Sequence, residues 1–145
     1  MSEATVVVCG DKDEIASRAL DLVLAGLASG VRERAVAHLA LTGGSSASAL
    51  FGLLRADARA RALDWSRVHV WQGDERFVPL DHPDRNWAGA LREWLDVDGG
   101  TGALLHPIPV DEAIARGFDA GWAAARYAED LVATLPQIDG LPAFD

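Results

Sequence analysis

The chain has 145 residues, half of them hydrophobic and 24% charged, with a net charge of −9. Its length is enough for one real core, about 68–70% of the unfolded surface being buried at this size, and its composition argues against a disordered chain. The acidic balance opposes binding to nucleic acid or an anionic membrane, whereas a few local donors can still hold a small phosphorylated ligand.

Residues 5–9, Thr-Val-Val-Val-Cys, predict a short first strand with Cys9 as a small core residue. Cys9 is the only cysteine, which allows no intrachain disulfide and fits a reducing compartment. Neither a signal peptide nor a membrane span is visible, so the expected location is cytoplasmic. Asp11 offers a helix cap with Glu14 three residues on. Ile15, Ala19, Leu22, Val23 and Leu27 follow at helical spacing as one apolar face, which Gly30 should end. Residues 36–41 are nearly all apolar, as expected of a strand covered on both faces. Ser45 or Ser46 can cap the next helix, which carries Leu50, Phe51, Leu53 and Leu54. Residues 67–72 predict another strand, and residues 86–95 a short amphipathic helix with Trp87, Leu91 and Trp94. Residues 104–110 hold two prolines and are extended, at best an edge strand. Residues 111–135 read as helix weakened at Gly117 and Gly121, with Phe118, Trp122, Ala125 and Val132 on one face. The alternation describes an α/β fold with an open, mostly parallel sheet and helices on both faces.

Two turns carry the chemistry. Thr42-Gly43-Gly44-Ser45-Ser46 joins a strand to a helix. Its glycines permit close backbone approach, and the helix aims free N–H groups at the turn. A phosphate cradle and an ordinary serine-capped turn both fit. No Gly-Lys-Ser/Thr follows, so this is not a Walker motif. A nucleophile elbow on Ser45, with Asp74 and His82 or His106 in hydrolase order, is a rival reading that lacks the last glycine, since Ala47 stands there. The second turn, Gly73-Asp74-Glu75-Arg76, follows an apolar run at the carboxyl end of a strand, where ligands bind. An arginine fork there matches phosphate or carboxylate, and the adjacent carboxylates can hold sugar hydroxyls or orient a water. The alternative is a surface loop whose charges pair with one another. None of the four histidines reads as a general base, no Cys/His cluster has zinc spacing, and the tryptophans read as core.

Together these segments resemble the 6-phosphogluconolactonase family, within the larger group that includes glucosamine-6-phosphate deaminases. Leu39-Ala40-Leu41-Thr42-Gly43-Gly44-Ser45-Ser46 is similar to the family's Leu-Ser-Gly-Gly-Ser-Thr-Pro turn. Asp64-Trp65-Ser66-Arg67-Val68-His69-Val70, followed by Gly73-Asp74-Glu75-Arg76-Phe77-Val78-Pro79, resembles its most specific signature. Asp84-Arg85-Asn86 resembles its downstream Asp-Ser-Asn, with Arg85 in place of Ser, and His106-Pro107-Ile108-Pro109 resembles its His-Pro-Ile-Pro. The similarity runs over nearly the whole chain.

The resemblance implies a Rossmann-like fold of the lactonase type. It implies hydrolysis of 6-phospho-D-glucono-1,5-lactone to 6-phosphogluconate in the pentose phosphate pathway, without a metal or other cofactor. Thr42, Gly43, Gly44, Ser45, Ser46 and Asn86 would bind the phosphate or sugar. Arg76 would stabilise anionic charge, on the phosphate or on the oxyanion, and Asp74 would hold the site together or contact the substrate. The family's catalytic His lies in a Gly-x-Asp-Gly-His segment that nothing here matches. Residues 1–145 are therefore expected to be one lactonase-like domain, incomplete at its C-terminus, lacking the general base and inactive alone. The strand at residues 67–72 is expected to border the absent one. A sugar-phosphate deaminase or isomerase is the nearest alternative, although those relatives continue Asp-Glu with Tyr rather than Arg76-Phe77. A non-catalytic sugar-phosphate-binding module is another. The sequence leaves the oligomeric state open.

Overall fold

The structure is a computed structural model that describes residues 5–145. The expected cap forms: Asp11 accepts from Glu14 N, and the Glu14 carboxylate accepts from Gly10 N, both at 2.8 Å. It starts α1 (Lys12–Arg34), which does not stop at Gly30 but at Ala35, in the left-handed region at φ 66°. Gly30 serves contact inside the helix, because a Cβ there would meet Ala37 Cβ and two side chains at 2.9 Å. The buried stripe of α1 is Ala16, Leu20, Leu24, Leu27 and Gly30, whereas Ile15 and Leu22 are exposed. Both stripes are apolar at helical spacing, and only the neighbours of α1 decide between them.

Residues 5–9 form no strand, and Val6, Val7 and Val8 are exposed. A strand exists only through pairing, and no sheet edge among the described residues reaches this run. The main sheet has three parallel strands in the order β1 (Ala37–Leu41), β2 (Val68–Gln72), β3 (Leu104–His106). This corrects the expected place of residues 67–72: β2 is central, with both edges paired. β3 is the expected edge strand. The chain's last residue lies beside β1 instead, where Asp145 N donates to His38 O at 3.1 Å and the Asp145 carboxylate accepts from His38 N at 2.8 Å.

The register sets Ala37, Leu41, Val68 and Val70 on one sheet face. They pack against α1, against Phe51 and Leu54 of α2 (Ser45–Ala56), and against Trp87 and Ala90 of α4 (Asn86–Ala90). A π-helical turn, Leu91–Leu95, extends α4 and adds Trp94 and Leu95 to this core. Between α2 and β2, α3 (Ala58–Ala62) is fixed by the Trp65 indole, which donates to Ala60 O at 2.8 Å.

The opposite face carries His38, His69, Trp71 and His106. It meets Tyr127, Leu131 and Leu135 at and just beyond α6 (Ala120–Thr134). Helices thus cover both faces. Gly117, at φ 71°, ends α5 (Val110–Arg116), whereas Gly121 lies within α6 and breaks nothing. The buried side of α6 runs through Ala123 and Tyr127 rather than Ala125 and Val132, which are exposed. Phe118 and Trp122 pack on each other instead, with centroids 4.9 Å apart. After Pro136, β4 (Gln137–Ile138) and β5 (Leu141–Pro142) form a hairpin. Its turn is Asp139-Gly140, at φ 51° and 79°, the left-handed pair that such tight turns require. No described helix is long and apolar enough to cross a membrane.

Candidate functional site

Because β1 and β2 are parallel neighbours, the turns after them open on the same sheet edge. Gly73 keeps them together: its N–H donates to Leu41 O at 2.7 Å, one residue past the ladder. Asp74 and Arg76 then stand beside Thr42, Gly43 and Gly44, and these five residues, with Pro83, Asp84 and Asn86, line a cleft of about 390 Å³. Another hollow of about 450 Å³, walled by Phe77, Ile108, Ala124, Tyr127 and Phe144, is mostly apolar and offers an anion little.

Neither serine caps α2. Its cap is Gly44, at φ 90° and ψ −179°, with no side-chain hydrogen bond. That conformation is accessible essentially only to glycine, and it leaves the first N–H groups of α2 free, where the helix dipole favours an anion. Ser45 and Ser46 are exposed in the first helical turn and do not line the cleft, while Thr42 does. Gly43 is where Asn86 enters. A Cβ at Gly43 would collide with the Asn86 carboxamide. That carboxamide also approaches Asp74, its nitrogen lying 3.4 Å from Asp74 O and 3.3 Å from Oδ2.

Glu75 departs from the sequence reading that both carboxylates of the loop face a ligand. Its side chain is 1% exposed. Oε1 accepts from Arg76 N and Asn86 N at 2.8 Å, and Oε2 from Gln72 Nε2, Arg85 Nε and Trp87 N at 2.8–3.0 Å. It caps α4 from another loop and has no lone pair to spare for a substrate. Burial acts to raise its pKa, but these hydrogen bonds outweigh it and hold the carboxyl below its ordinary value. Arg85 is buried as well. It pairs with Glu75, donates to Val78 O at 2.7 Å and forks onto Asp111 at 2.9 Å through both terminal nitrogens. Burial opposes its charge, and Asp111 and Glu75 more than restore it, so its pKa is raised. Sequence reasoning missed the clamp made by Glu75, Arg85 and Asp111. Its one legible signal was an arginine at position 85 just before a helix.

Arg76 and Asp74 do not pair with each other. Both are exposed at the cleft, and the Arg76 guanidinium meets no carboxylate among the described residues. Loop charges that merely solvated one another would have paired. The elbow reading of Ser45 finds no support, because His106 is engaged elsewhere: it lies 2.8 Å from His69 Nδ1 and stacks on Trp71 at 3.9 Å. No histidine lines the cleft. Chemically, the cleft joins a helix N-terminus and a free guanidinium to two exposed carboxylates, Asp74 and Asp84. It can hold an anionic group at one end and hydroxyls at the other.

A family model described as glucosamine-6-phosphate isomerases/6-phosphogluconolactonase matches residues 10–145. The 6-phosphogluconolactonase of Synechocystis sp. is 36% identical over 138 residues, covering 93% of this chain and 53% of that protein. That of Mycobacterium leprae is 36% identical over 143 residues, covering 98% and 56%. The crystal structure of 6-phosphogluconolactonase from Leishmania guyanensis superposes with a TM-score of 0.79 at 27% identity, covering 99% of this chain and 58% of that one. The chain spans about half the length of the curated relatives it matches.

Proposed function

The chain belongs to the glucosamine-6-phosphate isomerases/6-phosphogluconolactonase family, and from that premise we propose that its cleft binds 6-phosphogluconolactone and serves hydrolysis of the ring ester to 6-phosphogluconate. The observation that carries this is that Arg76, whose guanidinium meets no carboxylate among the described residues, lines one cleft with the Gly43–Gly44 turn at the start of α2. Hydrolysis adds water to the lactone carbonyl. Negative charge gathers on the carbonyl oxygen, the ring C–O bond breaks, and the departing alkoxide takes a proton. Arg76 meets anionic charge on the phosphate or on that oxyanion. Free N–H groups of the α2 turn add donors to the phosphate. Asp74, Asp84 and Asn86 suit the sugar hydroxyls. No histidine lines the cleft, so the reading places no imidazole base beside the lactone carbonyl.

Two measurements test it. Amide shifts on titration with 6-phosphogluconate are expected at Gly43, Gly44, Ser45 and Arg76, and stationary amides there would remove the cleft from consideration. Proton release from fresh 6-phosphogluconolactone, corrected for spontaneous hydrolysis, is expected to show no turnover by the chain alone, since general-base catalysis contributes about 10²–10⁴-fold. Full turnover would move the base to Asp74 or Asp84. Arg76→Lys replaces a planar fork by a point charge and is expected to weaken 6-phosphogluconate binding about tenfold, or ~1.4 kcal/mol, by isothermal titration. Binding without turnover even after the chain is joined to a lactonase's remaining half would favour a sugar-phosphate-binding module.

A further inference from the structure

We propose that Arg85 is a positioning residue of the cleft, one that fixes the backbone on both sides of Arg76 so that its guanidinium stands ready for an anion; this rests on the reading that the cleft binds a sugar phosphate. The Arg85 side chain is fully buried. One fork reaches Glu75 at 2.8 Å, Val78 O at 2.7 Å and Asp111 at 2.9 Å. Arg76 lies between the first two of these contacts, and its own N–H is taken by Glu75 at 2.8 Å. The loop is thus tied at residues 75 and 78 to a single buried group, and through Asp111 that group is tied to α5. The Arg76 side chain itself has no such restraint and is exposed.

Stability alone does not call for this arrangement. Burying an ion pair costs desolvation that its attraction barely offsets, and apolar replacements are often as stable. A fork with three anchors supplies fixed geometry, which is what a binding group on a loop needs.

Arg85→Lys keeps a positive charge beside Glu75 but cannot span Glu75, Val78 and Asp111 together. With the 145-residue chain, isothermal titration with 6-phosphogluconate is expected to give a Kd about fivefold to tenfold higher for Arg85→Lys. In an Arg76→Ala background the same change is expected to matter less than about twofold, because it acts through Arg76. A merely structural role would weaken binding equally in both backgrounds. Hydrogen exchange gives a readout without ligand: the amides of Arg76, Asn86 and Trp87 are expected to exchange about tenfold faster in Arg85→Lys, with those of β1 unchanged. If the parent chain binds no 6-phosphogluconate, the functional reading fails, and the exchange rates alone decide this inference. Unchanged exchange at those amides, or equal losses in both backgrounds, overturns it. Should Arg85→Lys fail to fold, Asp111→Asn replaces it under the same criteria, since that carboxylate is 55% exposed and its loss leaves the Glu75 pair in place.

Discussion

Gly43→Ala is expected to weaken 6-phosphogluconate binding by about a hundredfold, or ~2.7 kcal/mol, while lowering Tm by less than about 4 °C. The added Cβ takes the space of the Asn86 carboxamide. Asn86 has a short side chain and its backbone is held by Glu75, so only the carboxamide can turn away. Turning away separates it from Asp74 and leaves a methyl group in the floor of the turn. A displacement of about 1 Å in a binding constellation can cost two orders of magnitude, whereas rotating one partly exposed amide costs the fold little. Gly44→Ala should behave oppositely. Nothing stands within 4 Å of a Cβ there, but φ 90° strains any other residue, by about 1–3 kcal/mol, so Tm falls. Isothermal titration beside thermal melts separates the two. Parental affinity in Gly43→Ala would show that Asn86 and the turn do not form one site.

Acid should remove about 3 kcal/mol of stability between pH 6.5 and about 4 through His38 alone. The ring is 2% exposed, and its Nδ1 accepts from the Trp71 indole at 3.2 Å, which a protonated ring cannot do. Burial, then His69, His106 and Arg34, lowers its pKa from 6.5 to about 4. The unfolded chain therefore binds a proton in this range and the folded chain does not. The stabilisation is complete above pH 6.5, falls as pH drops, and is gone below about 4. His69 and His106 are lowered too, mainly by burial, and act in the same direction. Urea unfolding at pH 7.5, 5.5 and 4.5 measures the slope. His38→Gln, which keeps an acceptor but not the titration, should flatten it. An equally steep profile in that variant would place the acid sensitivity elsewhere.

Those histidines show where sequence reading ended. None of the four reads as a general base, and nothing local sets one beside another. The register that pairs His38 with His69 and Trp71 with His106 lines three of them up on one face, and no local pattern encodes a pairing across strands more than thirty residues apart in sequence. The first helix teaches the same lesson. Its length of apolar spacing was legible, but two stripes competed, and β1 and α2 chose the one through Leu20, Leu24 and Leu27. The run at residues 5–9 has strand chemistry and no partner strand among the described residues.

What the sequence determined by itself was local and periodic: the Asp11 cap, the apolar strands β1 and β2, the extended edge at β3, and two strand-ending turns bearing glycines and charges. Since parallel strands open their turns on one edge, it also determined that Thr42, Gly43, Gly44, Asp74 and Arg76 would meet. Which charge faces the cleft was decided only by the tertiary structure. Asp74, Glu75 and Arg76 are adjacent and equally polar in sequence, yet Glu75 turns inward. The N-terminus of α4, Gln72, Arg85 and the backbone N–H of Arg76 together supply the five hydrogen bonds that offset its desolvation. Asp74 and Arg76 have no such buried partners and remain at the cleft.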